Sequence, residues 1–444
     1  MFETLKRAFK IKEIRSKIFI TLLFLILYRI GCYIPVPGIG GKLFEDTLSE
    51  NVPTYLGIMS MMTGGALMNG TWFAMGIGPY INSSIIIQLL TVAIPKLERL
   101  SKEGESGRRK ISNLTRYVAV LLAIIQAIGI LNAYGGDLLT TSSDPEKYLS
   151  FADILFGWKW LAYTIVVLFY TSGALVTVWI GERITDYGVS NGISLLIFAG
   201  ILSTAGIGFI SMIRKIFDGG NAGMVAFWRL LAYIVVIVLI FAFILWVDGA
   251  ERKIKVHYAK QVKGRKMMGG QSTEIPIKVN ANGVMPLIFA FSILSFPELI
   301  MSMFWPTGGA IQWWQKWMGT DSWAYMIILC VLIFFFAFFY AQIQFNPEDV
   351  SKSIQQNGGF IQGIRPGRAT CDHLSKISKR ITLFGAIFLA LLALIPSIIF
   401  RLIDATNSSI FTATGMLIAV SVALEFNTAL ESQIMMKNYK GFLK

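Results

Sequence analysis

Metal and thiol chemistry have little to work with in this chain of 444 residues, which contains two histidines, His257 and His373, and three cysteines, Cys32, Cys330 and Cys371. None of the five stands in a zinc-ligand or disulfide-framework spacing, so no metal, cofactor or cross-linked scaffold is expected. A G-x-x-x-x-G-K-S/T phosphate loop and a G-x-S-x-G elbow are also missing. The chain therefore has no nucleotide-driven motor and no serine nucleophile of its own, and no enzymatic activity is expected of it. Any energy for transport has to come from a partner or a gradient. Charged residues are scarce as well, at 15% of the chain.

What fills the sequence instead is apolar: 55% of the residues are hydrophobic and the mean hydropathy is +0.61, well outside the usual soluble range. Ten segments reach the roughly 20 mostly apolar residues needed to cross a bilayer: about 17–34, 72–95, 114–134, 159–180, 191–213, 224–247, 281–304, 323–345, 381–402 and 410–431. The net charge of +14 is not spread evenly over the connections. With the N-terminus placed in the cytoplasm, most Lys and Arg fall in the inner segments, as the positive-inside bias requires. An all-α, ten-span membrane protein with both termini inside follows. Arg214 and Lys215 oppose the rule in an outer loop, while Arg29 and Arg229 lie within spans and are expected to snorkel to the interface. No cleavable signal precedes the first span. The stretch "MFETLKRAFKIKEIRSKIF" reads as a basic amphipathic segment on the inner membrane surface.

An ion-coupled carrier would bury ionisable groups near the midplane. Glu425 in the tenth span, Glu298 near the outer end of the seventh and Asp248 at the inner end of the sixth are the candidates. They form no obvious pair, which weakens that reading without removing it.

The second span, "GIGPYINSSIIIQLLTVAIP", raises a sharper question, because it is both apolar and rich in polar groups. On a helix, residues three and four apart share a face. Ser84, Gln88 and Thr91 therefore form one stripe, with Ile81 and Ile85 in a second stripe beside it. Small and hydroxyl residues also serve plain helix packing. The tenth span shifts the balance: Thr414, Ile418, Ser421, Glu425 and Thr428 lie along one face, with Ile418 an apolar member of a polar stripe. In the seventh, Ile288 shares its face with Ser292 and Ser295, while Pro286 and Pro297 are expected to break the helix. Polar faces are costly in lipid, so these helices are expected to surround water.

After the first span, "PTYLGIMSMMTGGALMNGTW" is too short to cross and reads as a re-entrant segment, tethered by glycines, that could occupy a pore mouth. The inner loops 248–280 and 346–380 are long and basic. The first alternates like a strand pair around "GRKMMGGQ", and the second sets Arg365 before a proline at an exposed turn. Charge bias alone explains their sign. Their length and turn chemistry suggest docking surfaces for a large cytoplasmic partner, for which RNA phosphate is one natural counterpart.

The stretches "IPVPG", "GGAL", "PYINSSIIIQLLT", "GERITDYGVSNGISLLIFAGI", "GRKMMGGQST", "IPIKVNANGVMP" and "GIRPG" resemble the signatures of the bacterial SecY family, pore subunits of the Sec protein-conducting channel. The match runs in order along nearly the whole chain. The resemblance implies two inverted five-helix halves, 17–213 and 224–431, around a central pore, flanked by an N-terminal segment 1–16 and a tail 432–444. It implies a pore ring of Ile81, Ile85, Ile193, Ile197, Ile288 and Ile418. It also implies a plug over about 53–70 that includes Gly64, Gly65, Ala66 and Leu67, and a lateral gate of Ser84, Gln88, Thr91 and Gln126 between the second and seventh spans. Arg252, Lys253, Lys263, Arg265, Lys266 and Arg365 would dock the ribosome or the SecA ATPase, with SecE and SecG as companion subunits. Signal peptides and nascent chains would pass through the pore, and transmembrane segments would leave into membrane lipids, in a bacterial inner membrane. An accessory paralogue with a narrow substrate set and an ion-coupled secondary transporter are the alternatives.

Overall fold

The computed structural model describes residues 2–37, 54–134, 158–218, 221–258, 261–263, 266–268, 272–280, 283, 285–304, 309–319, 322–402 and 413–441. Each predicted span contains a helix: α2 (Lys12–Gly31), α4 (Gly78–Ala93), α6 (Glu105–Tyr134), α7 (Lys159–Tyr187), α8 (Gly192–Asp218), α9 (Asn221–Asp248), α10 (Met285–Phe304), α12 (Trp323–Gln344), α14 (Arg368–Leu402) and α15 (Ala413–Gly441). Between them lie α1 (Phe2–Lys10), α3 (Thr54–Thr63), α5 (Pro95–Lys102), α11 (Gly309–Met318) and α13 (Pro347–Gln356). Six helical segments among the described residues, in α6, α7, α8, α9, α12 and α14, are long and apolar enough to cross a membrane, and α4 makes a seventh if joined to α5. In α10 the apolar stretch is the shorter Met285–Glu298. The first and tenth spans are also helical, in α2 and α15.

The second span shows how local chemistry sets these bounds. Pro79 sits in the first turn of α4, where a missing N–H costs nothing. Ile94, preceding Pro95, is held extended (φ −106°, ψ 113°), which ends the helix. Pro95 then opens α5, bent 101° from α4. Upstream, residues 64–77 form successive turns with Gly64, Gly65, Gly70 and Gly76 at positive φ, so the helix starts later than 72.

Several expectations need correction. Pro297 does not break α10, which runs through it, and Pro286 falls harmlessly in its first turn. Arg214 and Lys215 belong to α8 rather than to a loop. The N-terminal segment is packed on the fold: Ala8 of α1 and Ile14 and Ile18 of α2 cluster with Val189, Leu430 and Ile434. Correspondingly, most of the predicted tail continues α15 to Gly441.

The strand pair expected in the first inner loop is present and belongs to a larger unit. β1 (Glu251–Tyr258) pairs antiparallel with β4 (Ser272–Lys278) and with β5 (Gly359–Ile361), while β2 (Gln261–Lys263) and β3 (Lys266–Met268) form the hairpin arm. Ile254, Val256, Ile277, Ile354, Ile361 and Leu374 form its core, so the two inner loops fold together. Within the helices, one apolar cluster joins α4, α9, α10, α12, α14 and α15, and a second joins α2, α7, α8 and α15. Ile81 packs against both.

Candidate pore constriction and gate

Four helices bring the six isoleucines into one neighbourhood. Ile197 of α8 and Ile418 of α15 are buried in the second cluster, with Ile81, Ile193 and Ile288 packed on it. Ile85, 3% exposed, is buried in the adjoining cluster beside Leu287 and Ala290 of α10. A cavity of about 60 Å³ lies among them, bounded by Ile81, Ile288 and Ile418 and touched by the polar side chains of Asn82, Ser292 and Ser295. The apolar residue on a polar face, read from helical spacing, is therefore what the structure shows at Ile288.

Gly78, Leu287 and Phe291 complete the cavity wall together with α3. Met59, Met61 and Met62 point into it, and methionine, unbranched and polarisable, fills such irregular space well. Close approach of backbones seats the helix. A side chain at Gly200 would collide with the Met62 carbonyl, and one at Gly415 would press on Met61. Thr204 Oγ1 donates to the Met61 carbonyl at 3.2 Å. Gly64 (φ +70°) and Gly65 (φ +85°) turn the chain, with the Gly65 N–H donating to the Ser60 carbonyl at 2.8 Å. Ala66 and Leu67, each 1% exposed, then enter two different apolar clusters. Beyond them, the Trp72 N–H donates to the Ile34 carbonyl at 2.8 Å, tying the segment back to "IPVPG".

The expected gate residues separate into two groups. Gln88 Nε2 donates to Ser84 Oγ at 3.1 Å, and the Tyr340 hydroxyl of α12 donates to Gln88 Oε1 at 2.8 Å. Thr91 turns its hydroxyl back to the Ile87 carbonyl of its own helix. Gln126 is 1% exposed and its amide makes no hydrogen bond among the described residues. Ser83 Oγ instead links α4 to α6, donating to the Thr115 carbonyl at 2.8 Å.

Sequence reasoning missed three participants: Tyr340, concealed as the end of an aromatic run, the methionines of α3, and Arg29. Arg29 does not snorkel. Its guanidinium is held inside the fold, donating to Ser203 of α8 and lying 5.6 Å from the Tyr33 ring centroid.

Of the basic residues, Arg252 and Lys253 are exposed on β1, with Lys253 paired to Glu251 at 3.3 Å. Lys263 and Lys266 belong to β2 and β3, and Arg265 lies outside the described residues. Arg365 is exposed on a turn bounded by Gly363 and Gly367 at positive φ. Its carbonyl accepts from Thr370 Oγ1 and that of Gly367 from Ser351 Oγ, both at 2.8 Å. The carboxylates weighed for ion coupling have other settings. Asp248 accepts from Asn280 at 2.7 Å and from Ser421 at 3.5 Å, Glu298 is 3% exposed, and Glu425 is exposed. No group of His, Cys, Asp and Glu suited to a metal ion occurs among the described residues.

A family model for SecY matches residues 71–427. A protein translocase subunit SecY of Streptomyces scabiei is 40% identical over the whole of both chains. A SecY channel structure, described through a plug domain that stabilises the closed state and maintains a membrane seal, superposes with a TM-score of 0.68 at 19% identity, covering 94% of this chain and 92% of the other. Sec61 in the canine ribosome-channel complex gives a TM-score of 0.64 at 18% identity, with the same coverage. The chain belongs to the SecY family of protein translocase subunits.

Proposed function

We propose that the chain conducts unfolded polypeptides through a pore closed by an isoleucine ring and by α3, and releases transmembrane segments sideways between α4 and the α10–α12 pair. It is a channel subunit rather than an enzyme. The observation that carries the proposal is the meeting of isoleucines from α4, α10 and α15 with the methionines of α3 around one cavity, with the α8 isoleucines packed in the adjoining apolar cluster. Aliphatic side chains suit this role because they make no demand on the passing sequence, and a narrow apolar constriction excludes ions by dewetting. The Ser84–Gln88–Tyr340 hydrogen bonds supply a seam of a few weak polar contacts that can part and be remade.

The ten helices would all span a bacterial inner membrane as two inverted halves, with both termini inside. The basic sheet and Arg365 would then face the cytoplasm, where the ribosome and SecA dock. SecE and SecG would pack on lipid-facing helices. The ribosome-bound relative supports the first of these partners.

The test is Ile418→Asn. In a pore, Asn meets water and inserts normally. The closed state loses part of an apolar contact worth about 1.5–3 kcal/mol for a fully buried Ile, enough to change occupancy roughly tenfold or more. Reconstituted channels, normalised to inserted protein, should leak ions. Unchanged conductance at reduced yield would remove Ile418 from the ring.

A further inference from the structure

A guanidinium held inside a membrane-spanning bundle is expensive, and Arg29 is held there with Nη1 buried and without a hydrogen-bond partner among the described residues. Its surroundings explain what it touches. Nη2 donates to Ser203 of α8, and Nη1 lies against Gly64, where any side chain would strike it. The Gly200 carbonyl lies on the same side, 3.1 Å from where a Cβ would stand. The chain leaving α3 therefore presses its Cα side against both a cation on α2 and the backbone of α8. One residue earlier, the Thr63 carbonyl accepts from Cys32 Sγ at 3.7 Å. A helix C-terminus carries partial negative charge on its carbonyls, and the cation sits just beyond that end of α3.

We propose that Arg29 is the residue that positions the plug in its closed seat: it ties α2 to α8 through Ser203 and attracts the C-terminal end of α3 by its charge. The proposal rests on α3 acting as the plug. The unpaired Nη1 gives the latch a second property. With α3 seated, the charged Nη1 group goes without a partner among the described residues, and when α3 leaves, pore water satisfies it. Docking is favoured by charge and the Ser203 bond and opposed by the unpaired donor, so the closed state is held weakly enough to be released by an entering chain. Glycine at 64 is part of the device, because only a residue without a side chain lets Nη1 reach the backbone at φ +70°.

The experiment measures closed-state ion conductance and export of a substrate with a defective signal sequence, both in the assembled translocase and normalised to inserted protein. Arg29→Met should raise both about tenfold, Ser203→Ala should raise them about threefold, and Arg29→Lys, which keeps the charge, should recover most of the wild-type seal. Gly200→Ala, which unseats α3 from α8 without touching Arg29, is the control for the plug itself. Leak in Gly200→Ala with wild-type behaviour in Arg29→Met would overturn the latch and leave the plug standing; silence in both would overturn the plug reading as well. If Arg29→Met fails to insert, Ser203→Ala decides: a leak supports the latch and wild-type conductance overturns it. Arg29→Lys leaking as much as Met, with Ser203→Ala silent, would show that side-chain shape alone matters and would also overturn it.

Discussion

The isoleucine cavity and the β4–β1–β5 sheet are closed by opposite kinds of contact. At the cavity, α3 meets its neighbours through methionine and isoleucine side chains and through backbone pressed on glycine, with few directional bonds. In the sheet, β1 is paired residue by residue with β4 from Glu251↔Lys278 to His257↔Ser272, β5 closes its other edge, and the turn carrying Arg365 is pinned by Ser351 and Thr370. Apolar contacts can be broken and remade with a different partner at little cost in specificity. A strand register cannot slip by one residue without turning each side chain to the wrong face. One region is thus suited to yield and the other to hold a docking shape while the first one yields.

The largest effect is expected where the yielding region depends on a single missing side chain. Gly200→Ala puts a methyl group into the Met62 carbonyl, a backbone atom that cannot step aside without moving α3. Overpacking of this kind costs roughly 1–3 kcal/mol, whereas alanine favours the α8 helix itself by about 1 kcal/mol. Closed-state leak should therefore rise by one to two orders of magnitude while thermal stability in detergent holds or improves. Leak and stability falling together would mean that the glycine serves helix packing and not a separable seat.

A smaller effect is expected at the rigid end. Arg365→Glu reverses a charge on a turn whose backbone bonds do not involve that side chain, so folding and membrane level should be unchanged while docking suffers. Export should fall about tenfold, equivalent to 1.4 kcal/mol of binding, with wild-type closed-state conductance. Leak in this variant would show that the two regions are mechanically one and would break the comparison.

How much of this could be read from the sequence follows the same division. The helices were legible because twenty apolar residues have few other uses, and helical spacing gave the polar stripes on which Ile288 and Ile418 stand, while the ring itself was implied only by the family resemblance. The inner loops announced strands through alternation. Contacts between distant segments were not legible. Arg29 looked like a snorkelling interface residue, because nothing local says that Ser203 and Gly64 will enclose it. Nothing in the N-terminal segment announced that Ala8, Ile14 and Ile18 would pack on Leu430 and Ile434, more than 400 residues away. Nor did anything local to Gln88 announce that the Tyr340 hydroxyl would reach it from α12.

The smallest effect, and the finest test of a seam made to part, is Tyr340→Phe. The Tyr340 ring stacks on Phe289 at 4.8 Å between centroids, and phenylalanine keeps that contact. Only the hydroxyl that reaches across to Gln88 Oε1 is lost. Gln88 retains its bond to Ser84, so α4 keeps its own geometry and loses one tie to α12. Side-chain hydrogen bonds between membrane helices average about 0.6 kcal/mol, which corresponds to a shift of roughly threefold in the closed-to-open ratio. Tyr340→Phe should therefore export a substrate with a weakened signal sequence about three times faster than wild type, without measurable ion leak, because the ring and α3 are untouched. Gln88→Leu, which also gives up the bond to Ser84 within α4, should do the same, and the double variant should do no more than either single one, since each removes the one bond that ties α4 to α12. Additive effects in that cycle would mean that Gln88 and Tyr340 act through different contacts, and the seam would have to be sought elsewhere along α4.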